Sequence, residues 1–368
     1  MTASIQGRIT VIDSLRGFAL LGILIIHATG RFFMNPEYEA PVTVLNQILN
    51  RLLSEIISGK FNSIFNMLFG VSFYIILSRA EAKGVDFRFR FEWRLVILIL
   101  IGYFHRIILP YEALLSYGVI GLALVLFWKF NKKWIFAIAI FCLLIHPFAA
   151  GIVNHFVPEN TEVVETVHVS SFSIISYFQY NAQQIQTPIA VFLDANWFFK
   201  IFGLFLLGFY VAGIGFFENI ENKRNLYLRV ASIALLLYFI FRIGAHYVTD
   251  EFFVYSGYCM SIVIVCGFIL LYSTRAKNVM KYMEPYGKMG LTNYILQSIF
   301  GLLVFAPFFL GLNGLNVISN VLIAIVIYLL QMIISIWWLQ RFAYGPIEWL
   351  WRSATYLKSV PFQKNKNS

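Results

Sequence analysis

Charge is scarce in this chain. Asp, Glu, Lys and Arg make up 12% of its 368 residues, against roughly 25% in an ordinary soluble domain, and 60% of the residues are hydrophobic. That balance excludes a water-soluble globule. Cysteine is scarcer still: Cys142, Cys259 and Cys266 all fall inside apolar runs, where buried thiols are expected and a disulfide framework or metal site is not. There is no Gly-rich phosphate loop, HExxH, CxxC or GxSxG, which leaves ATP-driven, zinc-dependent and serine-hydrolase chemistry without a foothold. The chain also lacks the alternating strands of roughly ten residues that build an outer-membrane barrel. Nor has it a convincing internal repeat of the kind inverted-repeat transporters carry. The stretch 152–196 contains no Lys or Arg at all.

Long apolar runs are abundant. About 20 apolar residues cross a bilayer as a helix, and ten such segments are read at 11–33, 61–78, 93–109, 113–128, 133–151, 197–217, 226–247, 252–274, 288–311 and 317–340. Charges or Gly/Pro turns bound each of them. A helix satisfies its backbone hydrogen bonds within the segment, so the expected fold class is an all-α integral membrane bundle of about ten transmembrane helices, one domain over 1–368. The net charge of +10 then reports orientation, not nucleic acid. With the N-terminus in the cytoplasm, inside segments hold 22 of the 28 Lys and Arg, and the outside keeps Arg31, Arg51, Lys60, Arg106, Lys200 and Arg242. Both termini are therefore expected to be cytoplasmic. The loop 152–196 is extracytoplasmic on this reading, and 341–368 is a cytoplasmic interfacial tail. Apolar residues at 45, 48, 49, 52, 53, 56 and 57 predict an amphipathic helix lying in the outer interface; 170–187 is similar, with more Gln and Tyr. The first run carries no small-x-small cleavage site after it and is expected to be retained.

Polar side chains within spans are costly, so each is a functional candidate to be weighed against simple packing. Arg16 and His27 stand eleven residues apart in the first span. Eleven steps of ~100° bring them to one helical face, ~16 Å apart along the axis, with Arg16 at the cytoplasmic mouth and His27 well inside the membrane. This spacing suits a cytoplasmic anionic donor meeting a buried base. An imidazole titrates near pH 6.5, so a neutral base is at hand. Arg94 and His105 repeat the spacing in the third span, with Arg106 beside His105 and Glu112 just past the Pro110 turn. A His–carboxylate pair is possible there, as is a structural network. Asn62 and Asn66, and Asn293 and Gln297, are pairs one turn apart; such amides either glue helices together or donate to a developing oxyanion. Arg352 and Lys288 are candidates to hold a donor's phosphates, alongside the plainer reading as a solvated inner face. Glu348 and Arg352 have the spacing of an i,i+4 ion pair.

Several stretches resemble known membrane proteins. Leu15-Arg16-Gly17, followed by a small-and-aliphatic helix ending in His27, resembles the Arg-x10-His signature of the acyltransferase-3 family. Four further stretches are similar to the YeiB-type membrane proteins of the domain-of-unknown-function 418 family: Gly59 to Val71, Arg94 to His105, Gly287 to Ser298, and Gly345 to Arg352. The resemblance runs nearly end to end. It implies a bacterial plasma-membrane protein that moves an acyl group from cytoplasmic acyl-CoA, as co-substrate, to a hydroxyl of an extracytoplasmic or lipid-linked glycan-type acceptor. His27 would take the place of the catalytic histidine, with His105 or Glu112 assisting, and Arg16 that of the signature arginine. Arg94, Arg352 and Lys288 would hold the donor; Asn62, Asn66, Asn293, Gln297 and Arg106 the substrate. Membrane lipids are the remaining expected partners, and no metal is expected. A transporter or flippase of an amphipathic small molecule uses the same spans without chemistry, and a non-catalytic membrane protein is a third reading.

Overall fold

The computed structural model describes residues 9–29, 43–109, 113–156, 173–183, 187–306, 308–312 and 315–364. Within them the chain is helical, with one isolated bridge between Phe342 and Gln363. In chain order the helices are α1 (Thr10–Thr29), α2 (Val44–Ile56), α3 (Lys60–Glu81), α4 (Arg88–Ile108), α5 (Leu114–Val125), α6 (Lys132–Phe156), α7 (Ile174–Gln183), α8 (Pro188–Leu193), α9 (Ala195–Gly213), α10 (Arg224–Tyr247), α11 (Glu251–Tyr272), α12 (Lys277–Met280), α13 (Met283–Lys288), α14 (Gly290–Phe305), α15 (Val317–Arg341) and α16 (Pro346–Tyr356). Among the described residues, seven helical stretches are long and apolar enough to cross a bilayer. They hold α1, α3, α6, α9, α10, α11 and α15. The apolar helices α5 and α14 are shorter, and α4 carries Glu92, Arg94 and Arg106 along its length. Ile233, Leu236, Ile240 and Ile243 form an exposed stripe on α10, spaced as one helical face. Such a stripe is a liability in water and an ordinary lipid contact in a bilayer. The chain is a helical membrane protein.

Each expected span overlaps a helix, with differences of extent: residues 30–33 of the first lie outside the described residues, and the segment read as 197–217 stops being helical at Gly213. The segment read as 288–311 is not continuous: α13 ends at Lys288 and α14 begins at Gly290. Glu348 of α16 accepts the Leu291 and Thr292 amides at 2.7 and 3.0 Å, together with the Thr292 hydroxyl. A carboxylate from the tail thus satisfies the orphan N–H groups of α14. Glu348 is used here, and not in the i,i+4 pair with Arg352. The segment read as 113–128 stops being helical at Val125. The expected interfacial helix is α2, whose Thr43 caps it by accepting the Asn46 amide at 3.2 Å. Gly59, at φ 76°, lets the chain turn sharply from α2 into α3, a conformation that costs a side-chain-bearing residue more.

Helix α1 is the most enclosed of the candidate spans and α10 the least. Glycine sets the closeness of two crossings. A Cβ on Gly208 of α9 would stand 1.9 Å from the Met67 carbonyl oxygen, and one on Gly70 of α3 would stand 1.9 Å from that of Phe205. Likewise a Cβ on Gly17 would meet the Met283 oxygen at 2.4 Å, and one on Gly287 the Asp13 oxygen at 1.9 Å. Small residues are what allow backbones this near in a membrane. Helix α16 packs against α4: the Trp351 indole donates to the Arg94 carbonyl at 2.8 Å, and the Arg94 guanidinium lies 3.6 Å from the Trp351 ring centroid. Phe342, Phe362, Trp338 and Trp349 close the tail in an aromatic cluster.

Gly208→Val is expected to destabilise the protein by about 3 kcal/mol, at the upper end of overpacking costs because backbone is what must move. Gly267→Ala, with nothing within 4 Å of its Cβ, is expected to be neutral. Thermal unfolding of the two variants in one detergent checks the contrast.

Candidate functional site

Two cavities lie back to back in the bundle. The first, of about 420 Å³, is lined by the charged side chains of Asp13, Arg16, Arg79, Arg94, Lys288, Glu348 and Arg352 and by the apolar ones of Leu68, Phe69, Phe73, Leu95 and Leu98. The second, of about 260 Å³, is lined by His27, Asn62, Asn66, Arg106, Ser116, Tyr180, Asp194, Trp197 and Lys200. Phe65, Leu114, Tyr117 and Tyr294 line both. These four side chains form the wall between them.

The first cavity has both a basic and an apolar lining. Arg16 is fixed there by three elements: it donates to Asp13 Oδ1 at 2.9 Å, to the Ser72 hydroxyl of α3 at 3.0 Å and to the Gly287 carbonyl of α13 at 3.3 Å. Lys288 pairs with Glu284 one turn back. The Arg352 guanidinium lies over Tyr344 at 4.4 Å. Five cations face two carboxylates, and Asp13 and Glu348 are already committed to Arg16 and to the α14 amides. The remaining positive field suits a phosphate or other anion, and the apolar lining suits an aliphatic chain.

In the second cavity His27 comes from α1, Asn62 and Asn66 from α3, Arg106 from the end of α4, and Lys200 from α9. The Tyr117 hydroxyl donates to Asn66 Oδ1, tying α5 to α3 at the wall. Tyr294 stands between the two histidines, its ring centroid 6.2 Å from that of His27 and 5.2 Å from that of His105, and its phenolic oxygen accepts the Ala113 amide at 3.3 Å. His105 is buried behind Tyr294, its Nε2 2.9 Å from the Ser298 hydroxyl. The roof comes from the long loop. Tyr180 of α7, Val191 of α8 and Asp194 close over the cavity, and α7 is held by Tyr177 and Asn181, which donate to the Ile108 and Ile107 carbonyls at 2.8 and 2.9 Å. Those bonds satisfy the carbonyls at the end of α4.

The structure thus brings His27, Asn62, Asn66 and Arg106 to one cavity and Arg16, Arg94, Lys288 and Arg352 to the other. It does not bring Asn293 or Gln297 to either. Asn293 donates to the Tyr286 carbonyl at 3.0 Å and to Ser335 at 2.9 Å. Gln297 donates to the Leu20 carbonyl at 3.1 Å and the Tyr286 hydroxyl at 2.6 Å, and Tyr286 donates to Gln331. Both amides are spent holding α1, α13, α14 and α15 together. Glu112 lies outside the described residues, as do Gln184 and Gln186 of the loop. The sequence reading missed Tyr117 and Tyr294, for which an aromatic residue in a greasy helix gives no signal. It also missed Lys200 and Arg79, for which an ionisable group in or beside a span does.

Two outcomes follow from these contacts. Asn293→Leu and Gln297→Leu are each expected to lower thermal stability by about 0.6–1.7 kcal/mol, the measured scale of interhelical hydrogen bonds in membranes, while leaving ligand binding in the two cavities unchanged. Burial pushes the Glu348 carboxyl above its ordinary value, against the hydrogen bonds it accepts. Its contribution to stability is therefore fullest below about pH 4.5, the unfolded range, and is lost as the pH rises through the higher folded value. Glu348→Gln, which cannot titrate, is expected to gain in melting temperature relative to wild type as the pH is raised from 4 to 8.

Comparison with known proteins gives this chain relatives over its whole length. It is 28% identical to "Uncharacterized 39.9 kDa protein in amylase 3'region" of Bacillus acidopullulyticus, covering 99% of each chain. It is 29% identical to the uncharacterized protein YxaH of Bacillus subtilis (strain 168), over 97% of this chain and 96% of that one. A 77-residue stretch is 35% identical to the uncharacterized protein YeiB of Escherichia coli (strain K12), covering 20% and 19% of the two chains. No solved structure matches. Residues 211–358 match the family profile described as "Protein of unknown function (DUF418)". Residues 211–358 thus belong to the DUF418 family, and the chain as a whole is similar to uncharacterized proteins of the YeiB and YxaH type.

Proposed function

We propose that this protein is a membrane O-acyltransferase that takes an acyl group from cytoplasmic acyl-CoA and passes it to a hydroxyl presented from the outer side. The observation that carries the reading is the pair of cavities with one shared wall: a basic and apolar cavity on one side and a His27-lined polar cavity on the other. On this reading the ten apolar helices all span a bacterial plasma membrane as one unit over 1–368, with both termini cytoplasmic. The residues lining the basic cavity then belong to the inner set of Lys and Arg. Arg106 and Lys200 belong to the sparse outer set, and the 152–196 loop roofs the acceptor side.

The acyl-CoA phosphates bind among Arg16, Arg94, Lys288 and Arg352, and the acyl chain lies along Leu68, Phe69 and Leu95 toward Tyr117 and Tyr294. The thioester carbonyl reaches the shared wall. The acceptor hydroxyl, held beside Asn62 and Asn66, attacks that carbonyl carbon as His27 removes its proton. The tetrahedral intermediate collapses, the C–S bond breaks, and the thiolate of CoA leaves on the inner side and takes up a proton. Tyr294, whose ring lies near those of both histidines, donates its hydroxyl to the developing oxyanion. His105 acts from behind it as a positioning residue, through the ring contact and Ser298. No metal enters this scheme.

A flippase would also use two cavities divided by a wall. Transporters of that kind point the bare N-terminus of a broken helix at an anionic substrate. Here the break between α13 and α14 is filled by Glu348, which favours the chemical reading.

Purified protein in nanodiscs is expected to release CoA from acetyl-CoA, and His27→Ala to lower that rate at least 100-fold, the lower range for loss of a general base, with acetyl-CoA binding retained. A thiol-reactive assay of free CoA measures it. Unchanged turnover in His27→Ala removes the assigned role, and equal movement of unmodified substrate across the membrane by both proteins supports the flippase.

A further inference from the structure

The tail that closes the basic cavity is fastened to one point at both of its ends. The chain leaves α15 at Phe342, runs through α16 and returns to the same place. There the Ala343 amide donates to the Phe362 carbonyl at 2.9 Å, the Lys364 amide to that of Arg341 at 3.2 Å, and the Phe342 and Phe362 rings lie 4.7 Å apart. Residues 344–361 are therefore a flap with its base on the end of α15. The flap lines the 420 Å³ cavity with Tyr344, Glu348, Trp351 and Arg352. Glu348 ties it to the start of α14. Its other seam runs along α4, where the indoles of Trp351 and Trp93 donate to the Arg94 and Ala354 carbonyls at 2.8 and 3.1 Å.

Two guanidinium groups meet at that seam. Arg94 of α4 lies over Trp351 and Arg352 of α16 over Tyr344, close enough that the charge of Arg352 acts against that of Arg94. Neither donates a hydrogen bond or pairs with a carboxylate among the described residues, and Arg352 Nε is buried without an acceptor. The neighbouring carboxylates are engaged elsewhere: Asp13 with Arg16, Glu284 with Lys288, and Glu348, which also acts on Arg94, with the α14 amides. Residues 1–8 and 365–368, outside the described residues, contain no Asp or Glu. The segments outside the description that do contain them are 30–42, 110–112 and 157–172. The first two follow α1 and α4 roughly 20 Å beyond Arg16 and Arg94 along the helix axes; the third leads to α7, which is bonded to that same far end of α4. A guanidinium stacked on a ring keeps its N–H edge available to an oxyanion. Like charges across a seam push it open, and an anion between them reverses the sign.

We infer that Arg94 and Arg352 are a phosphate clamp, and that a phosphate group bound between them fastens the 344–361 flap onto α4 over the cavity. Arg16 and Lys288, each already matched by a carboxylate, add to the field without forming the clamp. The inference rests on the proposed reading only in taking this phosphate to be the acyl donor's.

The probe is adenosine 3′,5′-bisphosphate, which carries no acyl group, titrated into the full-length protein in phosphatidylcholine nanodiscs with amide hydrogen exchange of the flap read in the same samples. It is expected to bind and to slow exchange in α16 at least tenfold, while adenosine does neither. Arg94→Gln and Arg352→Gln should each weaken binding at least tenfold and abolish the protection. Lys288→Gln should stay within about threefold of wild type and keep it. Without ligand, α16 in Arg352→Gln should exchange no faster than in wild type, because the substitution removes a repulsion; this separates a lost clamp from a lost fold. No binding by wild type, binding without protection, or undiminished binding by both Gln variants overturns the inference. Protection in phosphatidylglycerol nanodiscs without nucleotide, lost in Arg352→Gln, supports the clamp and assigns its phosphate to a lipid headgroup. A protein that binds the bisphosphate and closes but releases no CoA from acetyl-CoA keeps the clamp and removes the transferase. CoA release at subsaturating acetyl-CoA that is unchanged in both Gln variants removes the clamp and keeps the transferase.

Discussion

Once two helices are both in lipid, no hydrophobic force draws them together, because acyl chains are as apolar as Leu and Phe. Everything else in this structure depends on how that missing force is replaced around α1. Close backbone approach at Gly17 and Gly287 sets α13 against the N-terminal half of α1. Polar bonds then fix its depth and rotation: Tyr328 donates to the Gly17 carbonyl at 3.2 Å, Gln297 to that of Leu20, and Arg16 to Ser72 and Gly287. A helix held at these points presents Arg16 to one cavity and His27 to the other. The buried amide of Gln297 acts here by position, since a shift of α1 would take the Leu20 carbonyl from it, while Asn293 and Gln331 tie α14 and α15 to Tyr286 of α13.

The two cavities exist because the same helices that touch at glycines elsewhere are kept apart by large rings. Phe69 stacks on Phe205 at 4.4 Å between ring centroids, and Tyr117 lies at 5.5 Å from both. The wall of Phe65, Leu114, Tyr117 and Tyr294 is thus part of a packed aromatic layer and not a loose plug. That is the geometry a group transfer across the wall requires: the donor's bulk stays on one side, the acceptor's on the other, and the reacting atoms meet at a gap between rings.

Much of this was legible in the residues, for physical reasons that also mark where legibility ends. Arg16 and His27 could be placed on one face because an uninterrupted helix has a fixed period. Arg16, Arg94, Lys288 and Arg352, expected as one donor-holding set, line one cavity. Asn62 and Asn293 could not be told apart, since an amide in a span satisfies itself on a neighbouring helix or on a ligand with the same chemistry, and only the neighbours decide. Tyr286 takes the amides of Gln297 and Gln331 out of play, while Asn62 reaches a cavity. Tyr294 was illegible because its role comes from standing between two histidines on other helices. The break at Met289 was hidden for a similar reason: the residue that stabilises it, Glu348, is 57 positions away from the amide it accepts.

The central claim is that donor and acceptor meet across the shared wall beside His27. A cryo-electron microscopy structure of the protein in nanodiscs with a non-hydrolysable thioether analogue of acyl-CoA tests it most directly. The account predicts nucleotide and phosphate density among Arg16, Arg94 and Arg352, and an acyl chain leading to the wall, with its reactive end between Tyr117 and Tyr294 and facing His27. An analogue bound outside the basic cavity, or one whose chain turns away from the wall into lipid, would contradict it.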